Sequence, residues 1–94
     1  MIYDVLIIGA GITGTMTARC LAAYDCSVAV AEAGADVAWE ATRANSAIVH
    51  AGYDCVPGTV KAKMNVRGCA MMEEICRTLG VSYKQCGSHV VAFG

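Results

Sequence analysis

Val5-Leu6-Ile7-Ile8-Gly9-Ala10-Gly11-Ile12-Thr13-Gly14 is the stretch that decides the fold. Val5 to Ile8 is a continuous apolar run, rich in β-branched side chains, which reads as a short strand covered on both faces inside a parallel sheet. It runs directly into G-x-G-x-x-G spacing. Gly9 permits a tight turn, Gly11 lets backbone come close to a pyrophosphate, and Gly14 lets the following helix lie against the strand. That helix is predicted from Ile12 to Tyr24, with no Pro and with Gly14, Ala18 and Leu21 along one side. Its unpaired first amides and positive dipole end would face phosphate oxygens. Gly9, Gly11, Ile12, Thr13 and Gly14 are therefore candidate cofactor-binding residues.

After Asp25-Cys26, the run Val28-Ala29-Val30-Ala31 predicts a second buried strand, which makes strand, helix and strand one right-handed βαβ unit. Glu32 ends that strand at the distance from the glycines where an acidic side chain accepts hydrogen bonds from adenosine ribose hydroxyls. Its charge would also repel the 2′-phosphate of NADP. Glu32 and the adjoining Ala33 join the candidate cofactor-binding residues. The fingerprint does not separate FAD from NAD, because both present an ADP half to it.

Residues 34–56 lose periodicity and turn small and polar, with a short helix expected between Asp36 and Arg43. A loop of that length in a compact domain is usually functional. Pro57-Gly58-Thr59 then marks a turn and a helix cap. A second amphipathic helix follows from Val60, carries Val60, Met64, Met71, Met72, Ile75 and Leu79, and stops at Gly80. Gly68 is its weak point, and the three methionines read as core filler. Ser82 to Cys86 and His89 to Phe93, on either side of Gly87-Ser88, predict a terminal β-hairpin. The fold class is α/β: a Rossmann-like FAD/NAD(P)-binding βαβ unit with a further helix and a terminal β-hairpin.

Bulk properties narrow the function. The 94 residues suffice for one small domain. A hydrophobic content of 56% with 16% charged residues excludes disorder. Seven basic against eight acidic side chains leave a formal net charge of -1, so no field attracts nucleic acid, and no nucleic-acid partner is expected. The six cysteines form no C-x-x-C pair and read as reduced, small apolar side chains. His50 and His89 stand apart from any closely spaced Cys or His, so no metal site is expected. No basic signal-peptide start and no transmembrane segment are present in the sequence, and a cytoplasmic location is the expectation. Lys61, Lys63 and Arg67 read as a solvated face, with phosphate steering as the functional alternative.

The segment Thr42-Arg43-Ala44-Asn45-Ser46-Ala47-Ile48-Val49-His50-Ala51-Gly52-Tyr53-Asp54 does not continue as further alternating helices and strands, as an NAD-binding domain would. Together with Pro57-Gly58-Thr59, Lys61-Ala62-Lys63-Met64-Asn65 and Gly87-Ser88-His89-Val90-Val91-Ala92-Phe93, it resembles the glycerol-3-phosphate dehydrogenase and oxidase branch of the D-amino-acid oxidase-like, FAD-dependent oxidoreductases. The resemblance runs over essentially the whole chain. It implies FAD as cofactor, with Thr42, Asn45 and Ser46 on its pyrophosphate and flavin side. It also implies that His50 is the catalytic base taking the hydroxyl proton of a small-molecule substrate, a role an imidazole performs near neutral pH. Residues 1–94 would then be the N-terminal part of the FAD-binding domain, incomplete relative to the family and without its substrate domain. Its apolar faces would meet the remainder of the oxidoreductase fold or lead to self-association.

Glycerol 3-phosphate is the substrate this resemblance favours. Another 2-hydroxy acid such as 2-hydroxyglutarate, or an amino acid, is the close alternative. A non-catalytic nucleotide-binding remnant and an NAD-dependent dehydrogenase are the readings from other classes.

Overall fold

All residues from 1 to 94 are described by a computed structural model. The elements in order are β1 (Val5–Ile8), α1 (Ile12–Leu21), β2 (Val28–Ala31) and α2 (Val60–Leu79). The chain divides into two compact units, Met1–Ala47 and Ile48–Gly94.

In the first unit β1 and β2 pair in parallel, with Val5 opposite Val28 and Ile8 opposite Ala31. Both ends of this short ladder are fastened. At its start the Asp4 and Val5 amides both donate to the Ser27 carbonyl at 3.1 Å, while the Asp4 carboxylate accepts from the Ser27 amide at 2.8 Å and the Ser27 hydroxyl at 3.0 Å. At its end the Gly9 amide donates to the Ala31 carbonyl at 2.7 Å. Those same Ser27 donors, the amide first and the hydroxyl second, hold the Asp4 carboxyl below the usual aspartate range.

α1 packs on both strands through the side that carries Gly14, Ala18 and Leu21, all partly buried. It is three residues shorter than the sequence predicts. From Ala23 the amides reach back three residues, Ala23 to Cys20 and Tyr24 to Leu21, and the Cys26 amide then closes on the Tyr24 carbonyl. This tightening turns the chain into β2 within a few residues. Because α1 covers one face of the two strands, the expectation of strands covered on both faces is not met. Strand side chains alternate between faces, so Val5 and Ile7 are partly buried while Leu6 is 59% and Ile8 79% exposed.

The predicted short helix between Asp36 and Arg43 is replaced by turns, in which the Arg43 amide donates to the Glu40 carbonyl and the Ala44 amide to Ala41. Asn45 ends them: its side-chain amide donates to the Thr42 carbonyl at 2.8 Å and its Oδ1 accepts from the Ala47 amide at 2.8 Å. This local bonding offers the backbone an alternative to helix. It accompanies a left-handed Ala47, with φ of 55°.

In the second unit α2 has the predicted boundaries and both predicted caps. The Thr59 hydroxyl accepts from the Ala62 amide at 3.2 Å. Gly80, at φ of 70°, lets the Val81 amide reach the Cys76 carbonyl at 2.8 Å and its own amide reach Arg77, which is a Schellman closure. Of the three methionines expected as core filler, Met64 and Met71 are exposed and Met72 is partly buried, and Cys76 is the one buried residue of the helix. Lys61, Lys63 and Arg67 are exposed, in keeping with a solvated face.

The terminal hairpin expected over Ser82–Cys86 and His89–Phe93 does not form. Gly87 takes a turn-compatible φ of 73°, yet no backbone ladder links its flanks, and Val90, Val91 and Phe93 are exposed. A lone two-stranded hairpin without a third strand or a covering helix is marginal in water.

Gly68 lies inside α2, and a Cβ built on it meets nothing within 4 Å. Gly68→Ala should therefore stabilise the chain by about 1 kcal/mol through helix propensity and a less flexible unfolded state. Chemical denaturation followed at 222 nm checks this. An unchanged or lower midpoint would mean that the glycine serves something other than the helix.

Candidate functional site

The joint between β1 and α1 is built from backbone. Gly9 has φ of 103°, a conformation L side chains rarely adopt, and turns the chain off the strand. At Gly14 an added Cβ would overlap the Gly9 carbonyl oxygen and lie 3.2 Å from Ile7 Cγ2. The helix therefore reaches the turn only because that carbon is missing. Ala10, 3% exposed, is the most deeply buried residue of the unit. Its amide donates to Glu32 Oε1 at 3.0 Å and its carbonyl accepts from the Ala38 amide at 2.9 Å.

Glu32 thus connects the end of β2 to the glycine turn. Its second oxygen accepts from the Gly34 amide. The Ala10 amide first and the Gly34 amide second hold its carboxyl below the usual glutamate range. Each carboxylate oxygen has lone pairs beyond those two bonds, and the side chain is exposed, so it remains able to accept ribose hydroxyls.

The amino end of α1 has no capping side chain of its own, because its cap position is Gly11. Thr42 supplies one from thirty residues away: its hydroxyl oxygen accepts from the Ile12 amide at 3.0 Å. The amides of Thr13 and Gly14 have no protein acceptor and stay available to an anion. Gly11, Glu32, Ala33, Trp39, Ala41 and Thr42 line a groove of about 320 Å³, which Glu40 completes. Trp39 carries the Arg43 guanidinium 4.8 Å from its ring centroid, a cation–π contact worth about 0.5–1 kcal/mol at an exposed site.

The residues expected at a cofactor sort as follows. Gly11, Glu32, Ala33 and Thr42 share the groove; Gly9, Ile12, Thr13 and Gly14 form the turn and helix start beside it. Asn45 is engaged in its own turn, and Ser46 is exposed without a hydrogen bond. Sequence reasoning missed Trp39, Glu40 and Ala41. Only the presence of the chain's sole tryptophan in a polar loop could have signalled the first of them.

His50 belongs to the second unit and is exposed. Its backbone is held by Asn65, whose side-chain amide donates to the His50 carbonyl at 2.6 Å, while Asn65 Oδ1 accepts from the Cys55 thiol at 3.4 Å. Gly52, at φ of 99°, brings this loop against α2, where an added Cβ would stand 3.0 Å from Val66 Cγ2. No group of His, Cys, Asp and Glu is arranged to hold a metal ion. No helix is long and apolar enough to cross a membrane.

The family model described as DAO, FAD dependent oxidoreductase, matches residues 4–94. The chain belongs to this family. FAD is accordingly the family's cofactor, and the available helix amides, the glycine turn and the accessible Glu32 carboxylate fit the ADP half of that group. A glycerol 3-phosphate dehydrogenase of Caloramator mitchellensis is 52% identical over 91 residues, which covers 97% of this chain and 19% of that protein. The mitochondrial L-2-hydroxyglutarate dehydrogenase of Homo sapiens is 40% identical over 92 residues, 96% of this chain and 20% of that protein. A glycerol 3-phosphate oxidase of Mycoplasma genitalium is 36% identical over 91 residues, 96% of this chain and 24% of that protein. The chain thus spans about a fifth of the length of these relatives. No solved structure matches it significantly.

Two predictions follow from this geometry. Gly14→Ala should push α1 off the turn and cost about 3 kcal/mol, as overpacking does where backbone cannot yield; thermal unfolding reads it, and a wild-type midpoint would contradict the close approach. Because both carboxyls are lowered in the folded state, Glu32 and Asp4 contribute stability that is present above their ordinary values and lost as pH falls through the lowered ones. Stability should therefore drop below about pH 4. The double variant Asp4→Asn, Glu32→Gln should be less stable at pH 7 and show a flatter acid limb in pH-dependent unfolding.

Proposed function

We propose that this chain is the N-terminal FAD-binding portion of a flavin-dependent oxidoreductase that oxidises glycerol 3-phosphate to dihydroxyacetone phosphate. The observation that carries the reading is the groove in which Glu32 is bonded to the glycine turn beside the available amides of Thr13 and Gly14. Gly9, Gly11, Ile12, Thr13 and Gly14 would hold the pyrophosphate, and Glu32 with Ala33 the ribose. Thr42, Asn45 and Ser46 would follow along the cofactor. FAD, when bound, accepts the hydride from the substrate carbon. An imidazole nitrogen of His50 takes the hydroxyl proton as that hydride leaves, and Asn65 positions His50 by gripping its carbonyl. The exposed Leu6, Ile8 and Val30 would be covered by the rest of the oxidoreductase fold or by a second copy.

The preference for glycerol 3-phosphate rests on the 52% identity to the Caloramator protein. A second reading, oxidation of a 2-hydroxy acid such as 2-hydroxyglutarate, is favoured by the 40% identity to the human one.

Titration with FAD and separately with NADH tests the cofactor reading. Saturable FAD binding should weaken at least about tenfold in Glu32→Arg, which removes an acceptor of ribose hydroxyls; a preference for NADH would sink it. To test His50, the chain replaces the matching segment of the Caloramator protein, and turnover of glycerol 3-phosphate is compared with that of 2-hydroxyglutarate. In this chimera His50→Ala should lower kcat about 100-fold or more at unchanged FAD content. Wild-type turnover in that variant would remove His50 from the chemistry.

A further inference from the structure

The groove beside Glu32 has a wall that the glycine fingerprint does not specify. Trp39 lines it together with Gly11, Glu32, Ala33 and Thr42, and 51% of its surface is exposed. The ring is nevertheless held from two directions. Its Cβ and Cγ lie so close to Gly34 that a Cβ on that residue would sit 3.1 Å from each, and the Arg43 guanidinium covers the ring at 4.8 Å. Gly34 is also the residue whose amide donates to Glu32 Oε2. The indole and the carboxylate are therefore set by the same piece of backbone.

A large aromatic that already has packing partners and stays accessible gives up less conformational freedom when a ligand arrives than an unsupported one. A carboxylate that accepts a vicinal diol places the attached base within a few ångströms, and a purine offers a π-face to any aromatic there. We propose that Trp39 is the wall of the adenosine subsite, stacking against the purine of an adenine nucleotide whose ribose is held by Glu32, with Arg43 as a positioning residue that keeps the indole in place. This deepens the FAD reading and rests on it. It assigns to residues 39 and 43 a recognition role that the turn residues, which read only phosphate and ribose, do not perform.

The test uses the 94-residue chain with ADP, FMN and inorganic pyrophosphate as probes, read by calorimetry and by tryptophan emission, for which Trp39 is the sole source. ADP is expected to change the emission saturably, at the Kd found by calorimetry, while FMN and pyrophosphate leave it unmoved. Trp39→Ala should weaken ADP about tenfold and Trp39→Phe less than about threefold, since the smaller ring still stacks. Arg43→Ala should shift the emission of the free chain to the red and weaken ADP, with Arg43→Lys restoring part of both. If ADP binds by calorimetry without moving the emission, or binds Trp39→Ala as it binds the wild type, the Trp39 proposal is overturned and the FAD reading stands. If the wild-type chain binds neither ADP nor FAD, both fall. Should circular dichroism show Trp39→Ala unfolded, the Trp39→Phe affinity and the wild-type emission decide.

Discussion

The hydrogen bond from the Ala10 amide to the Glu32 carboxylate is the interaction on which the first unit turns. It joins the middle of the glycine turn to the end of β2, at a residue almost sealed from water. A buried amide must find an acceptor, and here the acceptor is the side chain that the dinucleotide fold also uses for ribose. The carboxylate that satisfies the turn is therefore the same one that the proposed reading assigns to the ribose. Around it, Gly14 keeps α1 against the turn, Thr42 caps the helix that Gly11 cannot cap, and Gly34 takes the second oxygen.

The second unit follows the same economy with different groups. Asn65 uses its amide on the His50 carbonyl and its oxygen on the Cys55 thiol, so one side chain of α2 holds both arms of the loop that carries the candidate base. Gly52 lets that loop come down on Val66. The spacing of the His-Ala-Gly and Lys-Met-Asn segments acquires a physical meaning only here: the histidine loop and the helix are one structural piece.

Little of the chain is buried. Ala10 and Cys76 are the buried apolar residues, and the outward side chains of β1 meet solvent. Hydrophobic burial is thus a weak source of order within these residues. Backbone and capping bonds make up much of what defines the two units: the Asp4–Ser27 cluster, the Thr42 cap and the closure at Gly80. A ring as large as Trp39 held at a groove edge stands out in such a setting.

Much was legible in the sequence because its signals are local. β1, β2 and α2 begin and end where apolar runs, Thr59 and Gly80 say they should, since strand alternation, caps and left-handed glycines act over a handful of residues. The glycine spacing and Glu32 pointed to residues that the structure gathers at one groove, and the motifs from Thr42 to Phe93 marked the family. What only the tertiary structure decided depends on partners distant in sequence. Thr42 meets Ile12 across thirty residues, Asn65 meets His50 across fifteen, and Trp39 meets the Gly34 turn that serves Glu32. The terminal hairpin failed for the same reason: alternation predicts which residues prefer a strand, but a strand persists only where a neighbouring ladder or a covering face stabilises it.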